Sequence, residues 1–264
     1  MTHVFDGFKL LGIAFCLFTA VVNAYAEDAD LAKLFQERTV VGTIVISSFD
    51  GKTTYIHNDS RAEERFLPAS TFKIPNTLIA LEEGIIADEK EIIAWDGQDK
   101  GWNEWNKDQS LETAFPLSCV WFYQELAKRV GNERYIRHLQ QIHYGNEQTG
   151  SDVTTFWLEG DLRISALEQI DFLKKVSAGE LPYTPAHLAI LKQLMIVEQT
   201  PEYIIRAKTG WATRVTPQIG WYVGYVEAKG TVWFFATNLE IAKKGDEKFR
   251  QDISMEALRM KGIL

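Results

Sequence analysis

Ser70 and Lys73 stand three residues apart in the stretch Pro68-Ala69-Ser70-Thr71-Phe72-Lys73-Ile74-Pro75. On a helix that spacing puts both side chains on one face, close enough to interact. A serine hydroxyl is a poor nucleophile until a neighbouring base takes its proton. Lysine can be that base when it is not a cation, and burial pushes it toward neutrality. The flanking residues Phe66, Leu67, Phe72, Ile74, Leu78 and Ile79 supply apolar surroundings. Ser70 therefore reads as a nucleophile and Lys73 as its base. Serine and lysine are common, so the pair needs company further along the chain.

The elements that must position this pair can be read in order. Asp28 to Arg38 forms an amphipathic helix with Leu31, Leu34 and Phe35 on one side. Val40 to Ser47 and Thr53 to Ile56 are joined by the turn Asp50-Gly51, a hairpin. The Ser70 helix runs to Glu83 and stops at Gly84, with an irregular start because Pro75 falls near its first turn. Trp95 to Gln109 is polar, tryptophan-rich and aperiodic, and reads as a surface loop. Helical patterns follow at Ser118 to Val130, Asn132 to Ile142, Ser165 to Val176 and Thr184 to Met195. The last two begin with capping hydroxyl residues. Tyr203 to Lys208, Ile219 to Glu227 and Thr231 to Leu239 read as strands, and a helix closes the chain from about Asp246 to Met260. Strands cluster at both ends with helices between them. The predicted class is α/β of the α+β type: an antiparallel sheet flanked by terminal helices, plus a central helical lobe. The sheet lobe takes residues 27–66 and 200–264, the helical lobe 67–199, in one catalytic domain.

Composition narrows the function. The chain has 264 residues, 46% hydrophobic and 24% charged, with a formal net charge of -8. That balance argues against nucleic acid, which rewards basic surfaces. Lys9 precedes an apolar run from Leu10 to Val22, followed by Ala24-Tyr25-Ala26. This pattern predicts a secretory signal over residues 1–26, removed after Ala26, and no stable membrane insertion afterwards. Cys119 would then stand alone, without an internal disulfide. The five histidines are scattered and lack zinc-site spacing, so no metal is expected.

Three further features accompany the pair. Lys208-Thr209-Gly210 closes a strand, and Gly210 allows a substrate backbone to approach. Ser118-Cys119-Val120 opens a helix whose hydroxyl can reach a cleft, and Tyr144-Gly145-Asn146 marks a turn after the next one. With these in this order, the sequence resembles a class D (oxacillinase-type) serine β-lactamase over nearly all of the expected mature chain. Ser-Cys-Val stands where the related class A signature has Ser-Asp-Asn. Phe156-Trp157-Leu158-Glu159-Gly160, Arg206-Ala207-Lys208-Thr209-Gly210-Trp211 and Arg250 match as well.

The resemblance implies the following expectations. Lys73 is carboxylated by carbon dioxide, so bicarbonate is needed although no cofactor is. Only a neutral amine attacks carbon dioxide, and Phe72, Val120, Trp157 and Leu158 form the pocket that supplies one. Trp157 donates its indole N–H to the carbamate. Ser118, held by Lys208, relays a proton to the leaving nitrogen. Thr209, Gly210, Trp211 and Arg250 bind substrate, with Arg250 matching its carboxylate through a forked geometry. The protein would be periplasmic, a monomer or homodimer, and act on penicillin-type antibiotics. Similar loops to Ala212–Gln218 occur in family members that hydrolyse carbapenems, and Arg214 is expected to pair with Glu159. Tyr144 and Asn146 read as structural, Cys119 as a helix packer, and Trp95, Trp102 and Trp105 equally as packing or rim residues and as substrate contacts. A β-lactam sensor, a cell-wall transpeptidase and a generic serine esterase are the rivals. The esterase lacks its Gly-x-Ser-x-Gly elbow.

Overall fold

A computed structural model describes Met1 and residues 26–264. The signal expected over 1–26 thus lies outside the described residues, its two end positions apart. Apolar residues alternating along β1 (Gly42–Ser48) decide the layering: Ile44 and Ile46 face one side of a sheet and Val45 the other. β1 pairs with β2 (Thr54–His57) in the expected hairpin. The remaining strands are β3 (Ile196–Gln199), β4 (Tyr203–Ala212), β5 (Gln218–Ala228) and β6 (Thr231–Ile241). The six strands run in the order β2-β1-β6-β5-β4-β3, each pair antiparallel. The two ends of the chain meet where β1 pairs β6, Val45 opposite Ala236.

One face of the sheet is covered by α1 (Ala29–Arg38) and α9 (Phe249–Met260), through Leu31, Leu34, Phe35, Ile253, Ala257 and Leu258. The other face carries the larger core. It is built on α3 (Lys73–Glu82), α5 (Val120–Val130), α6 (Asn132–Ile142), α7 (Ala166–Ala178) and α8 (Pro185–Leu194). Short helices occur at 59–63 and 111–114.

Several elements differ from expectation for physical reasons. β4 runs on to Ala212, so Lys208-Thr209-Gly210 lies inside the strand rather than at its end. The edge strand β3 was not anticipated from the sequence. It exposes three of its four residues and carries no alternating apolar signal. Thr184 precedes α8, yet its hydroxyl donates to Glu82 at 3.1 Å instead of capping the helix. Ser165 caps α7 as expected, its hydroxyl accepting from the Glu168 amide at 3.1 Å, and Glu168 completes a capping box by accepting from the Ser165 amide at 2.9 Å.

Candidate active site

The irregular start predicted for the Ser70 helix is a 3-10 turn, Ala69–Phe72, running directly into α3 at Lys73. In a 3-10 turn side chains at i and i+3 eclipse one another. Lys73 Nζ accordingly lies 2.9 Å from Ser70 Oγ, donating to it. Ser70 is half-buried and opens to a cleft, whereas Lys73 is fully buried. Burial pulls the Lys73 amine from its usual 10.5 down to about 7. The face of Tyr123 lies 5.0 Å from Nζ.

The turn is held from several sides. Ala69 adopts left-handed backbone, φ 48°, a conformation that is unfavourable for a non-glycine residue. Its amide donates to the Trp157 carbonyl at 2.9 Å, and the Trp221 indole donates to the Leu67 carbonyl at 2.9 Å. Gly210 presses β4 against this turn. A Cβ there would stand 2.9 Å from Pro68 O and 3.0 Å from Thr71 Cγ2. The missing side chain thus lets the sheet approach the serine turn, a nearer reason for glycine than access for a substrate.

Ser118 sits just before α5 with φ 52°, again left-handed. Its hydroxyl accepts a short hydrogen bond from Lys208 Nζ, which also donates to Thr209 O at 3.1 Å. Lys208 is buried, and its amine is depressed well below the usual range by burial first, then by the charges of Lys73 and Arg250. Arg250, from α9, donates to Gly210 O at 3.3 Å, and its Nε is buried without a partner. Burial lowers its guanidinium to about 10, which still leaves it cationic at neutral pH.

Ser70, Ser118, Val120, Leu158, Thr209, Gly210, Trp211 and Arg250 border one cleft of about 480 Å³. Phe72 and Trp157 lie behind it, their rings stacked at 5.6 Å and both fully buried. Trp157 Nε1 has no hydrogen-bond partner. An indole donor left unpaired in a core is costly unless something accepts from it. A carboxylate oxygen added at Lys73 would have the right chemistry.

The cleft also includes Trp102 and Trp105, for which the sequence leaves packing and substrate contact equally open, and Leu117 and Thr213, which it does not single out. Trp102 is 61% exposed on a polar loop, its ring 6.0 Å from that of Trp105, and aromatic residues in such a loop are the available signal. Trp105 is pinned, its indole donating to Leu117 O at 3.1 Å while its carbonyl accepts from the Trp121 indole at 2.8 Å. Trp95 does not border the cleft; its indole bonds Gln98 O at 2.7 Å. Arg214 and Glu159 pair at 2.6 Å, as expected. Asn146 fastens its turn by accepting from the Arg163 amide at 2.9 Å and donating to Asp161 O at 2.7 Å. Tyr144 packs edge-on against Phe72 at 5.8 Å, and Cys119 is buried in the core. Among the described residues no cluster of His, Cys, Asp and Glu could hold a metal, and no helix is long and apolar enough to cross a membrane.

Comparison with known proteins agrees with this geometry. Residues 37–259 match the penicillin binding protein transpeptidase domain family. The chain is 42% identical over 245 residues to β-lactamase OXA-48 of Klebsiella pneumoniae, covering 93% of this chain and 92% of that protein. It is 37% identical over 257 residues to β-lactamase OXA-5 of Pseudomonas aeruginosa, covering 96% of each. The class D β-lactamase YbXI from Nostoc superposes with a TM-score of 0.87 at 43% identity, covering 89% of this chain and 99% of that one. FUS-1 (OXA-85) from Fusobacterium nucleatum subsp. polymorphum gives 0.88 at 36% identity, with 90% and 100% covered. A half-buried serine beside a buried lysine, a second serine held by another buried lysine, and these likenesses along nearly the whole chain lead to one conclusion: the protein belongs to the class D (oxacillinase-type) serine β-lactamases, hydrolases that open the β-lactam amide.

Proposed function

We propose that this protein hydrolyses penicillin-type β-lactams through an acyl-enzyme on Ser70, and so confers resistance to them. The observation that carries the reading is the buried Lys73 amine, 2.9 Å from Ser70 Oγ and drawn to about 7. An amine in that state is in large part neutral at physiological pH, able to accept the Ser70 proton and to combine with carbon dioxide. When Lys73 is carboxylated, the carbamate supplies the base for acylation and for the water that ends the cycle. In this reading the buried Phe72 ring, with Val120 and Leu158 on the cleft side, would keep solvent from that amine, and the unpaired Trp157 indole offers the N–H that would hold the added carboxylate. Charge favours the same outcome. Lys73 and Lys208 repel while both are cations, and an anion at Lys73 turns that repulsion into attraction.

Ser70 Oγ attacks the lactam carbonyl, its proton passing to the Lys73 group. The backbone N–H groups of Ser70 and Trp211 hold the oxyanion, each such donor contributing about 3 kcal/mol. Ser118 Oγ–H protonates the departing ring nitrogen and is replenished by Lys208 Nζ, to which it is already bonded. Thr209 and Arg250 hold the substrate carboxylate, with Lys208 adding positive charge. Export to the periplasm through removal of residues 1–26 is part of the same proposal; a mature chain starting at Glu27 checks it by mass spectrometry.

The decisive assay is a chromogenic cephalosporin in excess. Many substrate molecules consumed per protein, abolished in Ser70→Ala, is the expected outcome. A single stoichiometric burst would instead mark a sensor or transpeptidase that acylates without turnover. A second reading, carbapenem turnover, is favoured by the Arg214–Glu159 pair at 2.6 Å, which would hold the 212–218 loop open. Arg214→Ser should lower carbapenem turnover more than penicillin turnover; no turnover above background in the parent protein would remove it.

A further inference from the structure

Gln169, on α7, lies outside the cleft, yet it grips the turn that carries the nucleophile. It is fully buried, and its Nε2 donates to Thr71 Oγ1 at 3.0 Å. Thr71 Oγ1 donates in turn to Pro68 O at 2.8 Å, and the Thr71 amide reaches the same carbonyl at 3.1 Å. A hydroxyl has one proton and two lone pairs, so the relay runs one way, from the Gln169 amide through Thr71 to Pro68. Burial pushes the Tyr144 phenol up, and the Thr71 and Gln169 side chains beside it partly counter that. Gln169 Oε1 and Tyr144 Oη are both buried and otherwise unpaired.

This relay closes the turn at its weakest point. Ala69 is in left-handed backbone with no glycine to ease it, and Ser70 is the next residue. Pro68 O is also the atom against which Gly210 packs, so its position sets the spacing between the serine turn and β4. The two oxyanion donors belong to those two elements. The helix applying the force is itself anchored: the Glu168 carboxylate caps its first turn and accepts from Arg65 Nε at 3.0 Å. We infer that Gln169 is a positioning residue for acylation, acting through Thr71 on the Pro68–Ser70 backbone; this rests on the reading of Ser70 as nucleophile.

The test measures single-turnover acylation by a chromogenic cephalosporin, per folded molecule, beside the melting temperature and the pH profile. Gln169→Leu, close in size but without the amide, should slow acylation by about tenfold or more, since small misplacements of reacting groups carry such costs. The pH profile should stay where it was, because Lys73 and its pocket are untouched. Thr71→Val should lose a similar factor, Thr71→Ser should recover most of it, and Gln169→Leu in the Thr71→Val background should lose little more. Acylation at the parent rate in Gln169→Leu, or losses that multiply in the double variant, would overturn the inference. Should Gln169→Leu fail to fold, the Thr71→Val and Thr71→Ser pair decides: equal rates in both overturn it. Ser70→Ala run alongside separates the two claims, because activity surviving there removes the nucleophile assignment itself.

Discussion

The ammonium form of Lys73 is costly to the folded state, because the amine is fully buried. Its amine is lowered from 10.5 to about 7 by burial. Below pH 7 both folded and unfolded chains hold the proton, and the folded state bears the full cost of the buried cation. As pH rises through that window, the unfolded chain binds more protons than the folded one, so stability rises with pH until about 10.5. In bicarbonate-free buffer, Lys73→Met should therefore melt at a higher temperature than the parent at neutral pH, and its stability should lack that rise. Equal melting temperatures at pH 7 would contradict the burial argument. Val120 borders the cleft, and the proposed function has it shield the same amine. Val120→Asn brings a polar amide into the pocket, and it should raise the bicarbonate needed for half-maximal activity severalfold; an unchanged requirement would mean that Val120 only packs.

At the scale of elements, the contact between β4 and the serine turn is a tight constraint beside Ser70. Gly210→Ala would force a methyl to 2.9 Å from Pro68 O, which is backbone and cannot swing aside. A loss of about 1–3 kcal/mol of stability is expected, measured by denaturant unfolding, with slower acylation. Elements whose apolar pattern repeats were legible in the sequence: α1, the β1–β2 hairpin, β5, β6 and the helices α6 and α7. The serine–lysine spacing was legible too, although the turn proved 3-10 rather than α. What escaped reading depends on tertiary contact. β3 is an exposed edge with no alternation. The left-handed backbone at Ala69 and Ser118 is invisible because neither residue is glycine. Trp102 and Leu117 meet across the cleft only once the 95–109 loop is folded back. Gln169 reads as an ordinary helix position until Thr71 is seen beneath it.

The molecule as a whole is stitched together across large sequence separations. β1 pairs with β6, Trp221 of β5 bonds Leu67 ahead of Ser70, Lys174 of α7 bonds Ser47 of β1 at 3.1 Å, and Arg206 of β4 bonds Lys192 O of α8 at 3.0 Å. Contacts of this kind tie the helical stretch to the sheet, so unfolding should be one cooperative transition, with activity, near-UV and far-UV signals lost together. An earlier, separate loss of the helical signal would argue for independent lobes. The same stitching places Arg250, from the last helix, beside Gly210 on a cleft that Ser70, from the first third of the chain, also borders.

The account depends above all on Lys73 being a neutral amine that takes up carbon dioxide. Its most direct test is a magnetic-resonance titration with isotope-labelled bicarbonate, run beside turnover on the same samples. The account predicts one carbamate signal, absent in Lys73→Ala, that fades in acid in step with activity and returns with added bicarbonate. Full turnover in bicarbonate-depleted buffer with no carbamate signal would contradict it.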